Sequence, residues 1–286
     1  MDKRALVLGG GGLTGAAWEL GLVAGLAAEG LDLRAADLIV GTSAGAVTGA
    51  QLLSGAGLES LYQRQLEPPV DELAARLGAG LIGRQAWIMI TSSGPTQLRL
   101  RMGKLALRAR TVSEAERRKV IESRLPSRDW PPVPFKVTAI DANTGDFAVF
   151  DVASQASLVD AVSASCASPG SWPPVTIAAH RYIDGGMRSP ANADLAAGYE
   201  RVVIVAPLGE RGGVLPGAGK QAGDLRAAGA KVVVVSPDQA ARKALGHNIL
   251  DREQRATAAR AGRAQAAAVA ADVREVWHEP ELSASG

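Results

Sequence analysis

A single cysteine, Cys166, excludes an internal disulfide framework and fits a reducing compartment. Aromatic residues make up only 4% of the chain, so within a hydrophobic fraction of 47% the core must rely on Ala, Val, Leu and Ile. Neither sign of charge dominates. The 31 basic and 29 acidic residues leave a formal charge of +2, which gives no footprint for a nucleic-acid partner. Histidine occurs only at positions 180, 247 and 278, and no His/Cys/Asp/Glu cluster has ligand spacing, so no metal or other cofactor is expected. No stretch is long and apolar enough to span a bilayer. Lys3 and Arg4 precede the apolar Ala5-Leu6-Val7-Leu8, but glycines 9 to 12 interrupt that run and Trp18 and Glu19 come soon after, which excludes a signal-peptide core. A soluble, cytoplasmic chain is expected, and its 286 residues suit one α/β domain. No internal repeat is visible.

What is present is concentrated in a few short motifs. Leu38-Ile39-Val40-Gly41-Thr42-Ser43-Ala44-Gly45 reads as an apolar strand running into a Gly-x-Ser-x-Gly turn, with a helical run from Ala46 to Leu53 behind it. In that setting a serine hydroxyl stands exposed on a sharp turn at a helix N-terminus, and Ser43 is the candidate nucleophile. The competing explanation is a serine that merely caps the helix. Cys166 is a second, weaker candidate, since small buried cysteines are common and no histidine lies in its motif.

Ala5–Leu8 reads as a strand covered on both faces, followed by glycines and a helix over residues 16–29 with Leu20, Val23, Ala24 and Ala27 on one side. Together with the strand at Leu38 this makes a βαβ unit whose best signals lie at strand C-termini, where open α/β sheets place ligands. Residues 58–134 differ: helical pieces are broken by Pro68-Pro69, glycines 78 to 83 and Ser92-Ser93-Gly94-Pro95, which predicts a helical cap insertion. Ser113-x-x-Glu116 is a capping-box pattern that starts a helix reaching about Leu125. Eight basic residues fall between Gln97 and Lys119 (Arg99, Arg101, Lys104, Arg108, Arg110, Arg117, Arg118 and Lys119) against Glu114 and Glu116. They are either a solvated face or a surface for peripheral contact with anionic membranes. Beyond Pro131-Pro132, residues 135–140 and 147–150 form a hairpin across Asn143-Thr144-Gly145-Asp146. Residues 158–165 form a short helix, and a strand then ends at Asp184-Gly185-Gly186. Residues 202–206 and 231–235 are buried strands, 207–223 a mobile surface loop, and 251–277 a long alanine-rich helix.

Gly10-Gly11-Gly12-Leu13-Thr14-Gly15 also satisfies the dinucleotide fingerprint, but Asp32 and Asp37 precede the second strand instead of closing it. These glycines offer a row of bare backbone N–H groups, an anion site fit for an oxyanion, with the Ala44 N–H as the further donor. A base is still needed. A Ser-acid-His triad would use His247 or His278, whereas Asp184 has the better context, ending a strand before two glycines.

Together these motifs resemble the patatin-like phospholipase family: the glycine loop after the first strand, Gly-Thr-Ser-Ala-Gly at the nucleophile, and Asp-Gly-Gly late in the chain. Ala164-Ser165-Cys166-Ala167-Ser168-Pro169, Pro173-Pro174-Val175 and Tyr182-Ile183 resemble the segment leading to the family's aspartate, and Pro190 and Asn192 resemble the residues just after that aspartate. The resemblance spans roughly residues 4–206. It implies a three-layer α/β/α fold with a mainly parallel central sheet, and a Ser43–Asp184 dyad without histidine. Gly10, Gly11, Gly12 and Ala44 would hold the oxyanion, and the substrate would be an acyl ester of a phospholipid, lysophospholipid or acylglycerol. A catalytically inactive lipid-binding or partner-binding homologue is the non-enzymatic alternative. One position departs from the family pattern: Thr14 stands where many members carry Arg or Lys.

Overall fold

The computed structural model describes residues 2–68, 78–211 and 213–278. In chain order it contains β1 (Arg4–Leu8), α1 (Gly12–Ala28), β2 (Leu38–Gly41), α2 (Ala44–Leu52), α3 (Leu58–Leu66), α4 (Ala79–Thr91), α5 (Pro95–Arg108), α6 (Glu114–Arg124), β3 (Phe135–Asp141), β4 (Phe147–Phe150), α7 (Leu158–Ser165), β5 (Val175–Ile177), β6 (His180–Asp184), β7 (Arg201–Val205), α8 (Ala218–Ala227), β8 (Lys231–Val235), α9 (Gln239–Leu245) and α10 (Arg255–Trp277). Short 3₁₀ turns lie at Gly185–Met187, Ala193–Ala196 and Arg252–Gln254.

One mixed sheet organises these elements. β8, β7, β1, β2 and β3 run parallel, with β1 at the centre, and β4, β6 and β5 add antiparallel pairings beyond β3. Side chains alternate across it as the strand period requires. Leu6, Leu8, Ile39, Val203 and Val205 pack under α1, α2, α7 and α10. Ala5, Val7, Leu38, Val40, Val202 and Ile204 face α8 and the turn at Ala193–Ala196. Ile140 and Ile183 meet α4 and α5. Helices therefore cover both faces of the sheet.

The scarcity of aromatics has a packing counterpart. α10 lies on α1 through Ala258, Ala259, Gly262 and Ala266, all buried, and small residues let the two backbones approach closely. Trp18 is the exception, fully buried in that seam with its indole N–H donated to Gln265 at 3.2 Å.

Three sequence expectations shift. α1 begins at Gly12, four residues before the predicted start at Ala16. The segment 207–223 is not loop throughout, because α8 starts at Ala218; Ala218, Ala222 and Leu225 are buried against the sheet, and that burial outweighs the glycine content. The C-terminal helix proper starts at Arg255, behind a 3₁₀ turn capped by Asp251. Between Leu58 and Pro134 the described residues form α3, α4, α5 and α6, with no strand. Pro69 and residues 70–77, the centre of the predicted cap, lie outside the described residues. The capping box at Ser113 and Glu116 is present with both of its hydrogen bonds.

The registers along β3 place the site. β4 pairs with Val137 through Ile140. β2 pairs with residues up to Val137, and β6 with Ala139 to Asp141. Since both overlap β4, β2 and β6 must share the opposite edge of β3, end to end. Gly41, two residues before Ser43, sits opposite Val137, and Asp184 opposite Ala139. Two strands far apart in sequence thus point their C-terminal ends at the same gap.

Candidate active site

Ser43 stands in the gap with φ 53° and ψ −110°, a backbone region that side-chain-bearing residues rarely adopt. Its neighbours hold it there. The Ser43 N–H donates to Ser165 Oγ at 2.8 Å, the Cys166 thiol donates to the Ser43 carbonyl at 3.2 Å, and Gly45 N–H reaches the Gly9 carbonyl at 3.0 Å. Gly45 is obligatory, because a Cβ there would lie 2.0 Å from the Leu8 carbonyl oxygen. Ser43 precedes α2 but makes no side-chain cap bond to it, so helix capping does not account for the residue. Its side chain instead shares the cleft with the Asp184 carboxylate, where interaction with the hydroxyl favours the charged form of that carboxyl.

Asp184 is 6% exposed. Burial pushes its carboxyl up to about 6, against the Ser43 hydroxyl and a hydrogen bond from the Gly186 N–H, both of which favour the charged form. The Gly186 bond is 2.8 Å long and fixes the carboxylate orientation. Beneath the pair lies a buried polar hub. Thr42 and Thr138 hydroxyls meet at 2.9 Å, and the Asn192 amide donates to both and to the Gly185 and Ser189 carbonyls. Behind α2, Glu19 is fully buried and accepts from the Thr48 hydroxyl at 2.8 Å; burial raises its carboxyl well above the ordinary carboxylate range.

All six residues singled out in the sequence, Gly10, Gly11, Gly12, Ser43, Ala44 and Asp184, line one cleft of about 160 Å³. Their amides are not equivalent. The Gly10 N–H donates to the Pro190 carbonyl at 2.7 Å, so the expected three-glycine donor row loses its first member: the β1 loop is tied there to the chain following Asp184. Among the described residues, the N–H groups of Gly11, Gly12 and Ala44 have no backbone acceptor. Gly12 has φ 64°, and a Cβ on it would meet the Ile249 carbonyl at 2.5 Å.

The rest of the wall is apolar, from Leu13, Val47, Trp172, Met187, Leu208 and Ile249, with Arg117 and Arg124 of α6. Arg117 is buried, its guanidinium 3.8 Å over the Trp172 ring. Thr14 does not line the cleft: its side chain is fully buried and its N–H donates to Ile249. The cleft's positive charge therefore comes from α6.

No histidine lines the cleft. His247 is exposed outside it, and His180 is bound to Asp141 at 2.7 Å. Asp32 grips Arg34 through both carboxylate oxygens. Thr138, Glu19 and Trp172 had no individual sequence signal, and Ser165 stood in a recognised segment without a role assigned to it, because their importance lies in contacts across the fold. Thr42 and Asn192 stood within or beside recognisable motifs, but their roles needed the fold.

The chain is similar to two solved structures. VipD from Legionella pneumophila is 14% identical at a TM-score of 0.48, over 95% of this chain and 67% of that one. The type III effector protein ExoU is 16% identical at a TM-score of 0.43, over 96% of this chain and 54% of that one, so this chain spans about half the length of ExoU. Among curated proteins none matches. The sequence model of one family matches residues 6–197, and by that match the chain belongs to the patatin-like phospholipase family.

Proposed function

We propose that this protein is a serine acyl hydrolase that cleaves carboxylic esters of lipids through a Ser43–Asp184 dyad and an acyl-enzyme. The observation that carries this is the placing of Ser43, on a strained turn, in one cleft with the Asp184 carboxyl, which burial lifts to about 6, beside amides of Gly11, Gly12 and Ala44 that have no backbone acceptor. An exposed aspartate, with a pKa of about 3.9, is a poor base for a serine hydroxyl. A partly desolvated one is better matched to the task.

In the forward step Ser43 Oγ attacks the ester carbonyl as its proton passes to the Asp184 carboxylate. The tetrahedral oxyanion forms against the Gly11, Gly12 and Ala44 N–H groups, each such donor contributing on the order of 3 kcal/mol to the barrier reduction. The carbonyl–alkoxy bond then breaks and the leaving oxygen takes the proton back from Asp184. Water repeats the sequence on the acyl-enzyme, giving the acid and free Ser43. The strained backbone at Ser43 holds Oγ for attack, a geometry maintained by the bonds to Ser165 and Cys166.

The apolar lining supports an acyl chain, and Arg117 and Arg124 on the same wall favour an anionic phospholipid or lysophospholipid over a neutral acylglycerol. A panel of p-nitrophenyl esters, phospholipids, lysophospholipids and acylglycerols against wild type and variants tests the proposal. Ser43→Ala and Asp184→Asn are each expected to abolish hydrolysis, His247→Ala to leave it near normal, and a chelator to have no effect. Damage by His247→Ala equal to that by Asp184→Asn would transfer the chemistry to a triad. A fluorophosphonate probe that leaves Ser43 unlabelled would mark an inactive homologue.

A further inference from the structure

From Gly78 to Ser113 the chain carries six basic residues, Arg84, Arg99, Arg101, Lys104, Arg108 and Arg110, and no Asp or Glu. In a protein of net charge +2 that is a marked local excess. The same stretch holds five of the eight large hydrophobic residues that are exposed among the described residues: Ile82, Trp87, Ile90, Leu107 and Val112. Isolated surface hydrophobics need no explanation, but a cluster rimmed by one sign of charge marks an interaction site.

α4 is two-faced. Leu81 packs at Gly170, Gln85 donates to the Pro169 carbonyl at 2.8 Å, and Ile88 is buried with Leu98, Met102 and Leu105 of α5. On the opposite arc, about 140° wide at the helical period, Ile82, Ile90 and Trp87 are 48%, 79% and 62% exposed. α5 lays its cations beside that arc. The Arg101 guanidinium stands 4.8 Å from the Trp87 ring and donates to the Thr91 and Ser92 hydroxyls, keeping its charge unneutralised, and Arg84, Lys104 and Arg108 line the same groove. Among the described residues none of these four forms an ion pair. Arg118, on α6, is instead neutralised by Asp160 at 2.8 Å, Arg117 is buried in the cleft, and Arg99 donates to the Gly145 carbonyl at 2.6 Å. The basic segment seen in the sequence thus divides by face, and only part of it is available to a partner.

An exposed Trp and two Ile on one side of a helix, flanked by cations, is the composition of a helix lying in a lipid headgroup layer. A second copy of the chain would bring two cationic faces together. α4 itself lies near the cleft: its inner face, through Leu81 and Gln85, grips the Pro169–Gly170 turn between Ser168 and Trp172, both of which line the wall near Ser43. We propose that the outer face of α4, with the Arg101, Lys104 and Arg108 side of α5, seats the protein on an anionic phospholipid bilayer, with the cleft on the same part of the molecule. Docking stands on this surface alone; its use in presenting substrate rests on the hydrolase function proposed above.

Co-sedimentation of the Ser43→Ala protein with phosphatidylcholine vesicles, with and without phosphatidylglycerol, separates binding from turnover. Binding is expected only with the anionic lipid and should weaken as salt screens the cations. Trp87 is the most exposed tryptophan, so its emission should shift to the blue and be quenched by brominated acyl chains, and Trp87→Phe should remove that signal. Arg84→Glu/Arg101→Glu/Lys104→Glu/Arg108→Glu and, separately, Trp87→Ser/Ile90→Ser should each weaken vesicle binding by about tenfold or more. In the Ser43 background both sets should hydrolyse a soluble p-nitrophenyl ester at the wild-type rate while losing activity on vesicle lipid. Unchanged sedimentation of both sets overturns the proposal. So does concentration-dependent self-association that disappears in Trp87→Ser/Ile90→Ser without any vesicle binding, which would assign the face to a second copy. Vesicle binding by a wild-type protein that hydrolyses no ester would uphold docking and refute the hydrolase function instead.

Discussion

Asn192 and Thr42, 150 positions apart, are joined by a buried hydrogen bond of 3.1 Å that ties the residue before Ser43 to the chain following Asp184. The same amide donates to Thr138 Oγ1 at 3.3 Å, the Gly185 carbonyl at 3.3 Å and the Ser189 carbonyl at 2.9 Å, so two N–H protons serve four acceptors. Asn192 also holds a left-handed backbone, φ 51°, which asparagine tolerates better than most residues. Asn192→Ala would leave several buried acceptors without this donor, costing about 1–3 kcal/mol of stability. It would also loosen the registration of the Ser43 and Asp184 side chains proposed to react. The expected result is a fall in kcat of roughly tenfold or more with KM for a short ester little changed. The pH profile should keep its shape, because burial, not Asn192, sets the Asp184 carboxyl. An unaltered kcat would show that the hub only stabilises the fold.

The raised Asp184 carboxyl carries two pH predictions with opposite signs. The base proposed for Ser43 must be ionised, so kcat/KM should rise with pH through about 6 and then level off. For stability the sign reverses. A native carboxyl near 6 binds its proton more tightly than the unfolded one near 3.8, so stability is greatest below about 3.8 and falls as pH climbs towards 6. A difference of about two units corresponds to roughly 3 kcal/mol held against the fold at neutral pH. Asp184→Asn should therefore melt higher than wild type at pH 7 and lose that advantage near pH 4, while being inactive throughout. A lower melting temperature at pH 7 would mean that the ionised carboxylate is a net stabiliser.

Ser165 illustrates what the sequence could and could not disclose. The apolar runs at Ala5 and Leu38 and the Gly-x-Ser-x-Gly turn are local: strand period, glycine sterics and helix start all point the same way, and the fold obeys them. Ser43 and Asp184 were legible because each ends a strand with a recognisable turn. Their pairing was expected only through the family resemblance, since it depends on β2 and β6 sharing one edge of β3, which no local pattern encodes. The loss of Gly10 as a donor likewise depends on a carbonyl from Pro190. Ser165 ends an ordinary helix of small residues, yet its hydroxyl accepts the Ser43 N–H at 2.8 Å. Ser165→Ala should remove that restraint on a strained backbone and reduce kcat, with Ser165→Thr restoring part of it; a full-rate alanine variant would show that the bond is dispensable.

Glycine substitutions at two helices should move stability in opposite directions. At Gly45 an added methyl would lie 2.0 Å from the Leu8 carbonyl oxygen and 2.6 Å from Leu8 Cβ, where the start of α2 meets the buried end of β1 and neither can retreat. Gly45→Ala is therefore expected to cost more than about 3 kcal/mol and to lower both the melting temperature and Ser43 labelling by a fluorophosphonate. Gly83 sits in the middle of α4, exposed, with nothing within 4 Å of an added Cβ. There alanine restricts the unfolded chain and suits the helix, which favours folding by about 0.5–1 kcal/mol. Gly83 also lies on the outer arc between Ile90 and Trp87, and a methyl group adds apolar surface there without removing a cation. Gly83→Ala should raise the melting temperature and leave vesicle binding intact or slightly stronger. Weaker binding would mean that α4 has to bend or unwind to seat on lipid.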